Sequence, residues 1–203
     1  MAKLVVGTFV TVDGVMQAPG GPDEDREGGF DHGGWLPPHF DDELGGFMGG
    51  LMGRSDALLL GRKTYEIFAA YWPNAGEDDP TAQKLNSVPK YVASRTLETV
   101  DWNNSTLLNG DVAQEVAGLK ERLDGEIHVT GSGNLAQTLL KNDLVDEFVL
   151  IVFPLVLGTG KRLFSDGTIP RGLRLTDTQT FRAGVTAQTY ERTGEPEYGT
   201  VGG

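Results

Sequence analysis

Short apolar runs alternate with helical patterns from residue 4 to about residue 153, after which strands pair locally. This order restricts the fold more than any other feature, because neighbouring parallel strands need crossover helices whereas a hairpin needs only a turn. Residues 4–12 form a β-branched run, and residues 57–60, 90–93, 106–108, 127–130 and 148–153 read as further strands. Between them the spacing predicts a helix from about Pro38 to Gly53, with Phe40, Leu44, Phe47, Met48 and Leu51 at helical intervals. A second helix follows residue 60, carries Tyr65, Phe68, Ala69 and Trp72 on one face and stops before Pro73. Asp111, with Gln114 as capping-box partner, opens a third, whose Val112, Val116, Leu119 and Leu123 face the core. Asn134 is read as the cap of a short helix bearing Leu135, Leu139 and Leu140, and residues 74–88 as loop. Residues 173–181 and 185–190 form a hairpin through Arg182-Ala183-Gly184. The expectation is one α/β domain over residues 1–203, with three layers, a mostly parallel mixed sheet and an antiparallel C-terminal hairpin. Residues 194–203, rich in Gly and Glu, are expected to be a disordered tail.

The formal net charge of -12 argues against nucleic acid and anionic membranes as partners. Cysteine is absent, which excludes disulfides, thiolate nucleophiles and iron–sulfur clusters. The first apolar run is too short for a signal-peptide core and no segment reaches membrane-spanning length, so a cytoplasmic protein is expected. Within so acidic a chain, any anion site must be locally basic, and this singles out Arg62, Lys63 and Arg95.

Those cations lie in loops that directly follow strands. Gly61-Arg62-Lys63-Thr64 and Gly131-Ser132-Gly133-Asn134-Leu135 open helical patterns, and Ser94-Arg95 follows the strand at 90–93. Glycine lets a ligand approach the backbone, a helix N-terminus favours anions, and a guanidinium forks onto phosphate. Each loop has a plainer reading as a tight turn or a solvated first helical turn. Cations sit poorly at a helix N-terminus, by about 0.3–1 kcal/mol, and an anion beside Arg62 and Lys63 would remove that conflict. Together the three loops describe a dinucleotide cradle with extra charge for one phosphate. Gly131 to Ala136 matches G-x-G-x-x-A, but the motif comes late, and no acidic residue ends the next strand, where Ile151 lies instead. An ordinary Rossmann dehydrogenase is therefore disfavoured. Leu157-Gly158-Thr159-Gly160-Lys161 fails as a phosphate-binding P-loop, since Leu155 stands where its first glycine belongs and Arg162 follows the lysine.

Residues 14–38 make a long Gly/Pro-rich loop of the kind that often acts as a lid or binding loop. Its Phe30 and Trp35 could stack on a planar substrate ring or pin the loop to the core, and both readings stay open. His32 and His39, near Asp41 and Asp42, match no ligand spacing, and no metal is expected. Asp13 and Asp41 are the candidate catalytic carboxylates; for both, and for Asp42 and Glu43, the alternative is a turn former or helix cap.

With these loops placed, the chain resembles the dihydrofolate-reductase-like superfamily. Its nearest branch groups small stand-alone reductases with the C-terminal reductase domain of bifunctional riboflavin-biosynthesis enzymes. The matching segments are Val12-Asp13-Gly14-Val15, Gly61-Arg62-Lys63-Thr64-Tyr65-Glu66, Ala93-Ser94-Arg95-Thr96-Leu97, Gly131-Ser132-Gly133 with Leu144-Val145-Asp146-Glu147, and Pro154 through Gly160 running to Leu163-Phe164. The resemblance implies an NADPH-dependent reductase acting on a C=N bond of a pterin- or pyrimidine-like substrate, as dihydrofolate reductases and 5-amino-6-(5-phosphoribosylamino)uracil reductases do. It implies that Arg62, Lys63 and Thr64 meet cofactor phosphates, Ser94 and Arg95 the adenosine-side phosphate, and Gly131, Ser132, Gly133, Asn134 and Leu135 the pyrophosphate. It places Val6 and Gly7 near the nicotinamide, and it implies a homodimer. Ser132 departs from the pattern, since many relatives carry glycine there. A non-catalytic nucleotide-binding module is the alternative reading.

Overall fold

The β-branched run that opens the chain becomes the centre of the sheet. In the computed structural model, which describes residues 1–76 and 78–202, β1 (Lys3–Thr11) lies between β5 (Glu126–Thr130) and β6 (Glu147–Phe153) and is parallel to both. Val6 stands opposite Val129 on one side and Phe148 on the other. β2 (Ala57–Gly61), β3 (Lys90–Ala93) and β4 (Ser105–Leu108) extend the parallel part beyond β5. β8 (Thr186–Gly194) returns antiparallel to β6, and β7 (Gly172–Thr180) forms the outer edge. The order is β4-β3-β2-β5-β1-β6-β8-β7. This is the expected mostly parallel α/β sheet with an antiparallel carboxy-terminal pair.

Both faces of the parallel strands are apolar because helices cover both. On one face Leu4, Val6, Leu59, Ile127 and Val129 pack with α4 (Val112–Arg122) and α5 (Gly133–Lys141) through Val116, Leu119, Leu135 and Leu139. On the other, Val5 and Val149 meet Leu51 of α1 (Asp42–Gly53). There too Leu58 and Leu60 meet Tyr65 of α2 (Arg62–Tyr71) and Leu85 of α3 (Pro80–Ser87). Each such leucine, fully buried, contributes roughly 1.5–3 kcal/mol. Among the described residues no helix is long and apolar enough to cross a membrane.

The element boundaries differ from the sequence reading where side chains cap backbone. Pro37–His39 is a separate 3-10 turn, Phe40 is half-exposed, and Asp41 starts α1 by accepting from the Leu44 N–H at 2.8 Å. Residues 80–87, expected as loop, form α3. The Asp79 carboxylate accepts from Thr81 and Ala82 N–H groups, Pro80 fits the first turn, and Ala82 and Leu85 are buried. α5 starts two residues earlier than an Asn134 cap allows, with Ser132 in the cap position at φ 60°. At α4 the Asp111 carboxylate accepts from Gln114 N–H as expected, and the Glu115 carboxylate accepts from Gly110 N–H just before the cap. Strand β8 runs to Gly194, and residues 195–202 carry no helix or strand.

Lys90 is an unusual core residue. It is fully buried, and its ammonium donates to the carbonyls of Val88 (2.8 Å), Asn103 (2.9 Å) and Asn86 (3.3 Å), 4.4 Å above the Trp102 ring. Burial lowers its pKa from 10.5 to about 8. The native state therefore loses this proton first, while the unfolded chain keeps it up to 10.5. The contribution of Lys90 to stability should rise with pH between 8 and 10.5, where the unfolded state binds more protons. Denaturant unfolding from pH 7 to pH 10, compared with Lys90→Met, checks this: the wild-type-minus-variant difference should grow across that window. A difference that stays flat would refute it.

Candidate functional site

In open α/β sheets, ligands lie at the carboxyl ends of the strands, where helix N-termini and loops converge. Here the ends of β1, β2, β3 and β5 open into a cleft of about 610 Å³. Arg62, Lys63 and Thr64, Ser94 and Arg95, and Gly131 through Leu135 all line it. The three loops that the sequence singled out thus share one cavity. They also fit into one another. Ser132 Oγ accepts from Gly61 N–H at 2.9 Å and shares a 2.8 Å hydrogen bond with Thr64 Oγ1. Gly131 and Ser132 both stand at φ 60°, a left-handed pair that turns the chain sharply from β5 into α5. A Cβ on Gly61 would lie 3.0 Å from the Ser132 side chain. Ser132 is therefore the pin between the loops that open α2 and α5. Neither α2 nor α5 has a side-chain cap, so no cap occupies the N–H groups of their first turns.

The cations are prepared differently. Arg95 is exposed and, among the described residues, makes no ion pair. Ser94 Oγ accepts from the N–H groups of Thr96 (3.2 Å) and Leu97 (3.0 Å), closing the turn that presents Arg95. Arg62 meets Glu66, one turn along its own helix, at 3.4 Å. Lys63 is fully engaged: its Nζ lies 3.1 Å from Asp25 Oδ1 and 3.0 Å from Glu27 Oε2. Lys161 meets the same two carboxylates at 2.6 and 2.7 Å. Burial pushes the Asp25 carboxyl up, but Lys161 and Lys63 outweigh it and hold it below the usual range; they do the same to Glu27. Both groups are carboxylates at neutral pH.

The long loop reaches the cleft as a fixed wall. Gln17 is buried; its amide donates to the Asp25 and Glu27 carbonyls at 3.1 and 3.0 Å and accepts from Lys161 N–H at 3.0 Å. Trp35 Nε1 donates to the Gln17 carbonyl at 2.8 Å. The Trp35 ring is buried edge-on against Phe153 at 5.2 Å. Phe30 packs with Val15, Ala18 and Leu157. Both aromatics lie outside the cleft lining; Trp35 pins the loop to the core, whereas Phe30 packs within a small cluster of loop residues.

The remaining predicted residues lie elsewhere. Val6 and Gly7 do not line the cleft; β1 enters it at Thr8 and Phe9. Asp13 accepts from Thr11 Oγ1 (2.6 Å), Gly158 N–H (2.8 Å) and Leu157 N–H (3.2 Å), which hold its carboxyl at about 2. It ties the first strand end to the 154–163 loop and does not face the cleft. Asp41 is the cap of α1, and Asp42 and Glu43 occupy that helix's first turn. The lining residues that the sequence did not single out include Thr8, Phe9, Gln17, Asp25, Glu27 and Lys161. Lys161 had one signal, a cation after two closely spaced glycines, which the failed P-loop pattern obscured.

An open, mainly parallel sheet with an antiparallel carboxy-terminal pair and a cleft floored by three strand-end loops defines a protein of the dihydrofolate-reductase fold. Dihydrofolate reductase from Enterococcus faecalis, solved with NADP(H), superposes with a TM-score of 0.59 over 94% of this chain and 96% of its own, at 14% identity. More narrowly, the chain belongs to the RibD C-terminal domain family, whose model matches residues 2–187. The structure of a protein assigned to riboflavin biosynthesis from Shewanella sp. PV-4 is similar over 95% of this chain and 99% of that one, with a TM-score of 0.67 and 26% identity. The uncharacterized protein YyaP of Bacillus subtilis (strain 168) is 35% identical over 144 residues, 68% of this chain and 75% of YyaP.

Proposed function

We propose that this protein is an NADPH-dependent reductase that adds hydride to a C=N carbon of a small planar pterin- or pyrimidine-like heterocycle. The convergence of the Arg62, Arg95 and Gly131–Ser132 loops in one cleft, beside the end of β1, carries this reading. The cleft suits a dinucleotide because two helix N-termini without side-chain caps open into it, while glycines at 61 and 131 let their loops interlock, a Cβ there lying 3.0 Å from Ser132 and 3.4 Å from Thr64 Oγ1. The α2 and α5 amides and Arg62 hold a pyrophosphate, and Arg95 at the end of β3 takes the additional phosphate that distinguishes NADPH. NADPH bound there would supply a hydride for the C=N carbon, and with a proton from solvent for the nitrogen the C=N bond would become CH–NH. Thr8 and Phe9 offer a hydroxyl and an aromatic face on the strand side of the cleft. Asp25 and Glu27 are ionised and engaged by lysines, which makes them orienting groups rather than proton donors. Positioning and fixed electrostatics supply most of the acceleration.

NADPH oxidation, followed as absorbance loss across a panel of pterins, pyrimidines and quinones, tests the reading. Turnover with a C=N heterocycle is the expected result. Tight NADPH binding with no turnover would favour a nucleotide-binding module, and no binding of NADPH would overturn both.

A further inference from the structure

Two carboxylates and two ammonium groups form a closed, neutral square in the wall of the cleft. Asp25 and Glu27 come from the long loop, Lys63 from the first turn of α2, and Lys161 from the segment after Gly160. The two lysines face different surroundings. Lys63 stands at a helix N-terminus beside Arg62 and Thr64, where a cation is disfavoured unless an anion lies next to it. In this structure the loop carboxylates are that anion, and a phosphate at the same helix start would serve the same purpose. Lys161 belongs to no helix; its own N–H donates to Gln17, whose amide also holds the Asp25 and Glu27 carbonyls. Arg95, by contrast, has no ion pair to give up among the described residues.

We propose that Asp25 and Glu27 act as an internal counter-anion for Lys63, so that loop carboxylates and cofactor phosphate compete for one ammonium while Lys161 and Gln17 keep the carboxylates in the wall. This rests on the cleft being an NADPH site and goes beyond it. It makes Asp25, Glu27 and Lys161 positioning residues that set how tightly the cofactor is held, and it makes Lys63 a shared group, distinct from the free phosphate ligand Arg95. Part of the affinity that the three loops provide is spent in breaking an existing pair, so weakening that pair should tighten binding.

The test is a double-mutant cycle on the NADPH dissociation constant, measured by fluorescence titration of wild type, Glu27→Gln, Lys63→Met and the double variant. Glu27→Gln removes one charge from a half-exposed pair and should tighten NADPH roughly three- to five-fold. Lys63→Met should weaken it, and in that background Glu27→Gln should change it by less than about two-fold. Equal tightening in both backgrounds would mean a general field effect, and no tightening in either would mean no competition; both overturn the proposal while leaving the cofactor reading intact. Failure of the wild type to bind NADPH would instead overturn the cofactor reading itself. Arg26, between the two carboxylates, is an exposed tryptic site. In Lys161→Met, NADPH should accelerate cleavage there, because both lysines are then withdrawn from the loop. Unchanged or slower cleavage would remove Lys161 from its holding role.

Discussion

Arg95→Ala is expected to weaken NADPH binding roughly 10- to 100-fold and to leave NADH binding within about two-fold, abolishing the preference between the two. The argument starts from charge. The chain carries a net -12, so a phosphorylated ligand meets an adverse field everywhere except at a local excess of cations. Of the cations lining the cleft, Lys63 and Lys161 are neutralised by Asp25 and Glu27, and Arg62 meets Glu66 at 3.4 Å. Arg95 alone among these four makes no ion pair among the described residues, and Ser94 closes the turn that presents it. A charge-assisted hydrogen bond is worth about 1.5–3 kcal/mol, which sets the expected range. Arg95→Lys keeps the charge but loses the planar fork, and should fall between wild type and alanine. Dissociation constants for both cofactors, measured at one ionic strength, decide the matter. An equal loss for NADPH and NADH would show that Arg95 does not meet the distinguishing phosphate.

Arg95 was legible in the sequence for the same reason as Arg62, Thr64 and the Gly131–Leu135 turn. Each directly follows a parallel strand, and the topology of such a sheet brings all strand ends to one side. Periodicity therefore located the cleft as soon as it located the strands. Asp25, Glu27 and Lys161 obey no such rule. Asp25 and Lys161 are 136 residues apart, and they meet through the course of a long loop whose path is set by one buried amide, that of Gln17. In sequence no spacing links them. Helix α3 was illegible because it is short and mostly polar, and the cap at Asp79-Pro80 is buried in an acidic stretch. The carboxylates of Asp13 and Asp41 were visible as chemistry-bearing residues, but their use is decided by backbone N–H groups nearby, which capture them before any ligand can.

The same distinction separates the two readings of Trp35, and it yields the largest expected effect on stability. Trp35→Ala should cost about 3–5 kcal/mol of folding free energy, the range for removing a large buried aromatic ring. The ring is 6% exposed and packs with Leu44, Ile151, Phe153, Phe181 and Val185, which join the long loop, α1 and the β6–β8 side of the sheet. Its Nε1–H also satisfies the buried Gln17 carbonyl, which would otherwise lose its partner. Trp35→Phe keeps most of the apolar contact and loses that bond, so it should cost about 1–3 kcal/mol. Because Gln17 in turn fixes the backbone at Asp25 and Glu27 and the N–H of Lys161, Trp35→Phe should also raise the Michaelis constant at temperatures where the protein is fully folded. Denaturant unfolding of the three proteins, paired with steady-state kinetics, separates the roles. A ring whose purpose is to stack on substrate would move the Michaelis constant and leave stability within about 0.5 kcal/mol, the range for changes away from packed features. That result for Trp35→Ala would contradict a pinning role and reopen the loop as a mobile lid.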